Sequence, residues 1–162
     1  MNSNAVASYR RWLEYEKDSH AKVLASFATV PADRRAELQR AIDLLDHIAA
    51  ARRMWLFRFG VLPSGPADIF PRGASAAEVA GRIAEVEAAW SAYLERLTDA
   101  DLERSFEYQS LDGGRFRNTF VDILTQLFGH SWYHRGQIAS VVRACGGEPA
   151  VTDFVFWTRE PI

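Results

Sequence analysis

The chain has 162 residues, 48% of them hydrophobic and 25% charged, which is typical of a globular protein and predicts one domain over residues 1–162. Its formal net charge of −2 does not favour binding to nucleic acid, and no apolar run approaches the about 20 residues of a membrane span. The N-terminus lacks the apolar segment of a secretory signal, and the lone Cys145 cannot form an internal disulfide, so we expect a reducing, cytoplasmic setting.

Two helices are predicted in the first third of the chain. The first is expected over about residues 4–28, and it ends before Pro31 because proline lacks the amide hydrogen and restricts the residue before it. Asp33 is the expected N-cap of the second helix, whose apolar residues recur three or four positions apart up to Phe59. Residues 60–74 hold three prolines and three glycines and are predicted to form a loop.

The third helix has the clearest signals of a start and an apolar face. Ser75 and Glu78 form a capping-box pattern at its start, and its apolar spacing continues until it ends near Thr98. Residues 104–118 then change to an alternating pattern around Asp-Gly-Gly, which predicts a β-hairpin.

The fourth helix is expected over about residues 119–145, where Gly146 and Gly147 end it. The aromatic tail that follows is expected to pack as an extended strap. Four amphipathic helices predict an all-α protein, an antiparallel four-helix bundle with a small β-hairpin between the third and fourth helices.

Three histidines have the placement of metal ligands. His130 and His134 lie one turn apart on the apolar face of the last helix, the spacing that lets two imidazoles bind one ion. A buried imidazole without partners costs about 1–3 kcal/mol for each unsatisfied group, and a divalent cation would supply a shared partner. His47, in the middle of the second helix, is the third candidate, because facing helices in a bundle build sites from inward side chains. Three ligands would leave coordination positions open, as in catalytic sites.

A plainer interpretation of these histidines stays open at this point. A single histidine such as His47 is more often a satisfied residue at the edge of the core, and histidines four apart also occur by chance on solvated faces. Only the combination of all three favours a metal site.

Other polar residues lie near the same faces. Glu16 and His20 on the first helix are candidates for a fourth ligand or a general acid/base. Gln126 and Gln137 lie on the histidine face and are candidates for contacts in the pocket or behind the ligands; they would equally cap polar groups at the edge of the bundle.

Arg135 directly follows His134, the second candidate ligand of the last helix. It is expected either to pair with a carboxylate such as Asp46, as a support behind the metal ligands, or to be an exposed surface arginine.

Two segments resemble a known family. LFGHSWYHRGQIASVVRACGGEP, residues 127–149, resembles the last-helix signature of the DinB-like (DinB/YfiT) superfamily of four-helix metal-binding proteins, and HRGQI is its most specific part. LLDHI, residues 44–48, resembles the ligand-bearing second helix of that family. The resemblance implies a divalent metal held by His47, His130 and His134, with water completing the coordination shell, and a homodimer. Many members have a further histidine where this chain has Gln126.

The resemblance also implies a class of function. Characterised members include thiol-dependent S-transferases and a maleylpyruvate isomerase, which use a low-molecular-weight thiol. We therefore expect a metal-dependent enzyme, a thiol-dependent S-transferase or a hydrolase, that acts on a small molecule and binds neither nucleic acid nor a membrane. Zinc or nickel is expected first, with iron or manganese as alternatives. The other interpretations are a non-catalytic metal-binding, ligand-binding or stress-response protein, and a bundle with a purely structural metal.

Overall fold

Four long helices and one hairpin form the antiparallel four-helix bundle, and the predicted fold class is confirmed. The computed structural model describes residues 5–162, so the predicted start of the first helix at residue 4 lies outside the described residues. The long helices are α1 (Ala5–Phe27), α2 (Gln39–Arg58), α3 (Ala76–Leu94) and α5 (Phe120–Ala144). The shorter elements are α4 (Asp99–Leu102), β1 (Ser105–Gln109), β2 (Arg115–Thr119) and α6 (Phe154–Thr158). Within residues 5–162, no helix is long and apolar enough to cross a membrane.

The four long helices bury their apolar faces against one another. Helix α2 packs on α3 and α5, and α1 packs on the same two helices. Leu45 and Ile48 of α2 belong to the same apolar cluster as Ile138 of α5, and all three are almost fully buried. Each such side chain contributes about 1.5–3 kcal/mol through burial, so these contacts hold α2 and α5 in register beside the histidines.

The predicted capping box and hairpin turn are confirmed. Ser75 Oγ accepts from Glu78 N at 3.3 Å, and Glu78 Oε2 accepts from Ser75 N at 2.8 Å. The two strands pair antiparallel from Ser105 opposite Thr119, and Gly113 in the turn has φ of +90°, a conformation that favours glycine. Thr119 then caps α5 directly, so the hairpin leads into the helix without a linker.

Two local predictions are wrong. Asp33 does not cap the second helix, because a 3₁₀ helix over Ala32–Leu38 precedes it and α2 begins only at Gln39. The tail is not an extended strap throughout, since Phe154–Thr158 forms the short helix α6. Phe154 and Trp157 lie three residues apart on one face of α6, and both rings pack on Tyr15, at centroid distances of 5.0 and 5.8 Å.

A buried carboxylate joins three of the long helices. Glu16 of α1 is fully buried, and its Oε2 accepts from Arg52 Nη2 of α2 at 2.8 Å. Its Oε1 accepts from Arg135 Nη1 and from Trp132 Nε1 of α5. The predicted pairing of Arg135 with a carboxylate is therefore confirmed, but the partner is Glu16 and not the suggested Asp46. The alternative of an exposed arginine is wrong, since Arg135 is only 4% exposed.

The sequence could not distinguish between the carboxylates available to Arg135. Spacing along a helix shows which face a side chain occupies, but the partner depends on which helix packs there, and here that helix is α1. Asp46 instead contacts Arg82 of α3.

Removing the charge of Glu16 should destabilise the protein strongly. Glu16→Gln keeps the shape of the side chain but leaves Arg52 and Arg135 buried without their counter-ion, so we expect the free energy of unfolding at pH 7 to fall by about 3–5 kcal/mol. Urea denaturation measures this loss. Glu14→Gln is the matched control on the same helix, because its carboxylate is 60% exposed, and it should cost less than about 1 kcal/mol. Equal losses in the two variants would contradict the prediction.

The effect of that substitution should depend on pH. Burial raises the pKa of Glu16, but Arg52, His20 and Arg135 outweigh burial and hold the pKa below its usual value of 4.5. A lowered pKa contributes stability that is present above pH 4.5 and is lost as the pH falls through the folded-state pKa. The difference in stability between the wild-type chain and Glu16→Gln should therefore narrow in acid, and a constant difference down to about pH 2 would argue against this account.

Candidate metal centre

Three imidazoles converge where α2 packs on α5. His47 is placed by α2, and His130 and His134 are placed by successive turns of α5. Their potential ligand atoms all lie within 4.8 Å of one another, and Nε2 of His47 is 3.0 Å from Nε2 of His130. His47 is buried, and the other two rings are half-buried. The three residues are thus positioned to bind one metal ion.

Outer hydrogen bonds orient two of the rings. His47 Nδ1 lies 2.5 Å from the carbonyl oxygen of Ile69, which can only accept, so Nδ1 carries the proton and Nε2 has a free lone pair. His134 Nδ1 lies 2.7 Å from Oε1 of Gln137, which assigns the same tautomer to that ring. Such partners behind histidine ligands fix the ring orientation and raise the basicity of the coordinating nitrogen.

The surroundings favour neutral imidazoles. Burial, with His134, His47 and Arg52 nearby, lowers the pKa of His130 from 6.5 to about 4. Burial also lowers the pKa of His134, and the hydrogen bond that its Nδ1 donates to Oε1 of Gln137 opposes this effect. Neutral imidazole is the form that binds metal ions, and the close approach of two Nε2 atoms leaves a cation as a natural shared partner. The donor set therefore fits a divalent metal ion.

The loop between α2 and α3, residues 59–75, covers one side of the site. It supplies the Ile69 carbonyl, and the ring of Phe70 stacks on His47 with centroids 4.8 Å apart and an interplanar angle of 14°. On the other side, the ring of Tyr133 lies 5.1 Å from that of His134. Phe70 and Tyr133 are 61% and 66% exposed, so aromatic surface flanks the imidazoles at the opening to solvent.

The comparisons with known proteins agree with this fold. The model of the DinB superfamily matches residues 39–138, which is more than half of the chain and includes all three histidines. The chain belongs to the DinB superfamily. The crystal structure of a DinB-like protein from Bacillus cereus ATCC 10987 superposes with a TM-score of 0.63 at 19% sequence identity, over 86% of this chain and 94% of that one. No curated protein matches the chain.

The remaining predicted residues of this DinB-superfamily chain lie in different surroundings. Gln137 contacts His134, as described above. Gln126 is exposed one turn before His130, and no hydrogen bond in residues 5–162 joins it to the imidazoles. Glu16 and His20 do not join the group of potential ligands among the described residues. The carboxylate of Glu16 already accepts hydrogen bonds from Arg52 and Arg135. His20 Nδ1 lies 2.8 Å from Oε1 of Glu87.

Two residues of the site were missed by sequence reasoning. Ile69 acts through its backbone carbonyl, which leaves no trace in side-chain patterns. Phe70 had one weak signal, an aromatic ring in a loop rich in proline and glycine.

The lowered pKa of His130 can be measured directly. In metal-free protein, the imidazole resonances of His130 should titrate near pH 4, well below the ordinary value of 6.5. As the pH falls, the unfolded chain protonates His130 near pH 6.5, whereas the folded chain does so only near pH 4. The free energy of unfolding should therefore decrease as the pH drops from 6.5 towards 4, and His130→Gln should remove this contribution to the pH dependence. An NMR titration with a midpoint near 6.5 would refute the burial that we assign to this ring.

Proposed function

We propose that this DinB-superfamily chain binds a divalent metal ion through His47, His130 and His134 and is a metal-dependent enzyme, a thiol-dependent S-transferase or a hydrolase acting on a small molecule. The observation that carries the proposal is the convergence of three imidazoles whose ligand atoms lie within 4.8 Å of one another. Neutral imidazole nitrogens suit zinc or nickel, with iron or manganese as alternatives.

Each residue has a defined role in this proposal. A divalent cation held only by neutral imidazoles keeps its full charge, so it acts as a Lewis acid that lowers the pKa of a water or thiol reaching it. The carbonyl of Ile69 and the amide of Gln137 hold two of the rings in the orientation that presents Nε2. The exposed rings of Phe70 and Tyr133 offer apolar surface for the carbon part of a substrate.

One observation favours a second candidate, a metal-binding or ligand-binding protein without turnover. Among residues 5–162 the potential ligand group contains three histidines and no carboxylate that would serve as a general base. The buried Glu16 is fully engaged by Arg52, Arg135 and Trp132. Catalysis would then depend on the thiol or the substrate for its proton transfers, whereas binding alone would not need a base.

Metal content tests the proposed ligands. Elemental analysis of purified protein should find one divalent metal per chain, and His47→Ala and His134→Ala should each abolish it. Gln137→Ala should weaken metal affinity by about 10–100-fold, because it removes the partner that orients His134. His20→Gln is the control, since it alters a histidine outside the group and should keep the metal. Absence of stoichiometric metal from the wild-type chain would refute the proposal.

The melting temperature in the same variants separates a functional site from a structural one. An open site predicts that His47→Ala loses its metal while its melting temperature stays close to that of the wild-type chain as purified. A collapse of the folded state on metal loss would indicate that the ion is structural instead.

Turnover separates the enzyme from the binding protein. The metal-loaded chain should consume a low-molecular-weight thiol in the presence of an electrophilic substrate, or hydrolyse an activated ester or amide. We expect His134→Ala to reduce either rate to background, and His20→Gln to retain it. A metal-loaded chain with no turnover in both screens would favour the binding protein.

A further inference from the structure

A cavity that does not include the imidazoles lies beside the α2–α3 loop. It has a volume of about 650 Å³ and is open to solvent between α2, α3 and the α2–α3 loop. Its walls include Asp46, Ala49, Pro71, Arg72, Arg82 and Val86. The three histidines do not line it, and Ile69 and Phe70 face His47 instead. Neighbouring residues of the loop therefore contact the imidazoles and line this cavity.

Asp46 presents an unpaired oxygen to this cavity. The residue is only 2% exposed, and its Oδ2 accepts from Arg82 Nη1. No hydrogen bond within residues 5–162 reaches Oδ1. Oδ1 is not among the buried polar atoms that lack a partner, so it reaches the solvent of the cavity, where it can accept a further hydrogen bond. Donors to a carboxylate form stronger hydrogen bonds when they are charged. The position is suited to a protonated amine that enters the cavity.

Arg72 is available for an anion at the same cavity. The other two arginines of the lining, Arg53 and Arg82, already form ion pairs with carboxylates of the protein. Arg72 is exposed and forms no ion pair or hydrogen bond within the described residues. The backbone next to Arg72 is anchored to α2, because Gly73 N donates to Asp43 Oδ1 at 2.9 Å. Asp43 lies one helical turn before Asp46.

We propose that this cavity binds a small zwitterion that carries both an amine and a carboxylate. The amine donates to Oδ1 of Asp46, and the carboxylate accepts from the guanidinium of Arg72. The apolar side chains of Ala49 and Val86 contact the carbon chain between the two charges. The volume lies within the range of about 300–1,000 Å³ that small-molecule sites have.

Isothermal titration calorimetry with simple zwitterions tests the ligand class. Glycine, 4-aminobutyrate and 6-aminohexanoate separate the two charges by increasing lengths of chain, and butylamine and butyrate each carry one of them. At least one zwitterion should bind, and both single-charge compounds should bind at least about tenfold more weakly. The proposal is overturned if no zwitterion binds or if a single-charge compound binds equally well.

Variants of the lining test the location. Arg72→Ala and Asp46→Asn should each weaken binding of the zwitterion by about tenfold or more. Arg40→Ala removes the same charge from an exposed position of α2 outside the cavity and should leave binding unchanged. Because Arg72 is exposed, its removal tests the site even if Asp46→Asn fails to fold, and unchanged binding in Arg72→Ala would overturn the proposal. Metal content measured on the same samples shows separately whether the histidine site is intact.

Discussion

The packing of α2 on α5 sets the distance between the two Nε2 atoms of His47 and His130, which is 3.0 Å. Leu45, two residues before His47, and Ile48, directly after it, are both fully buried, and Ile138 lies one turn beyond His134. The side chains that bring the three imidazoles together therefore belong to the apolar core itself. Protein interiors are close-packed, so the core leaves the imidazoles little freedom to separate. The packing of α2 on α5 consequently holds the three imidazoles together without help from any other group.

Hydrogen bonds and ion pairs of the buried Glu16 also join α2 and α5 to α1. Arg52 lies on α2 beyond His47, and it donates both to Glu16 and to Ser131, the residue next to His130. Its charge contributes to the lowered pKa of His130, after burial and the neighbouring imidazoles. The network thus combines a structural role, joining α1 to α2 and α5, with an electrostatic one, since it helps to keep an adjacent ring neutral and able to bind a metal.

Features that depend on spacing within one element could be predicted from the sequence. The helices, the capping box at Ser75 and the turn at Gly113 follow local rules, and periodicity placed His130 and His134 on one face. Features that depend on contacts between elements could not. The partner of Arg135, the helix formed by the tail against Tyr15 and the carbonyl that orients His47 are all determined by which segments meet after folding.

The α2–α3 loop contacts the imidazoles and also lines the cavity between α2 and α3. It supplies the Ile69 carbonyl to His47, and three residues later Arg72 lines the cavity. A ligand in the cavity and an ion at the imidazoles would both favour a particular placement of this short segment. Two ligands that favour the same placement bind with positive coupling, and the coupling is reciprocal, so each raises the affinity of the other by the same factor. A zwitterion that left metal affinity unchanged would show that the loop is rigid and that the two sites act independently.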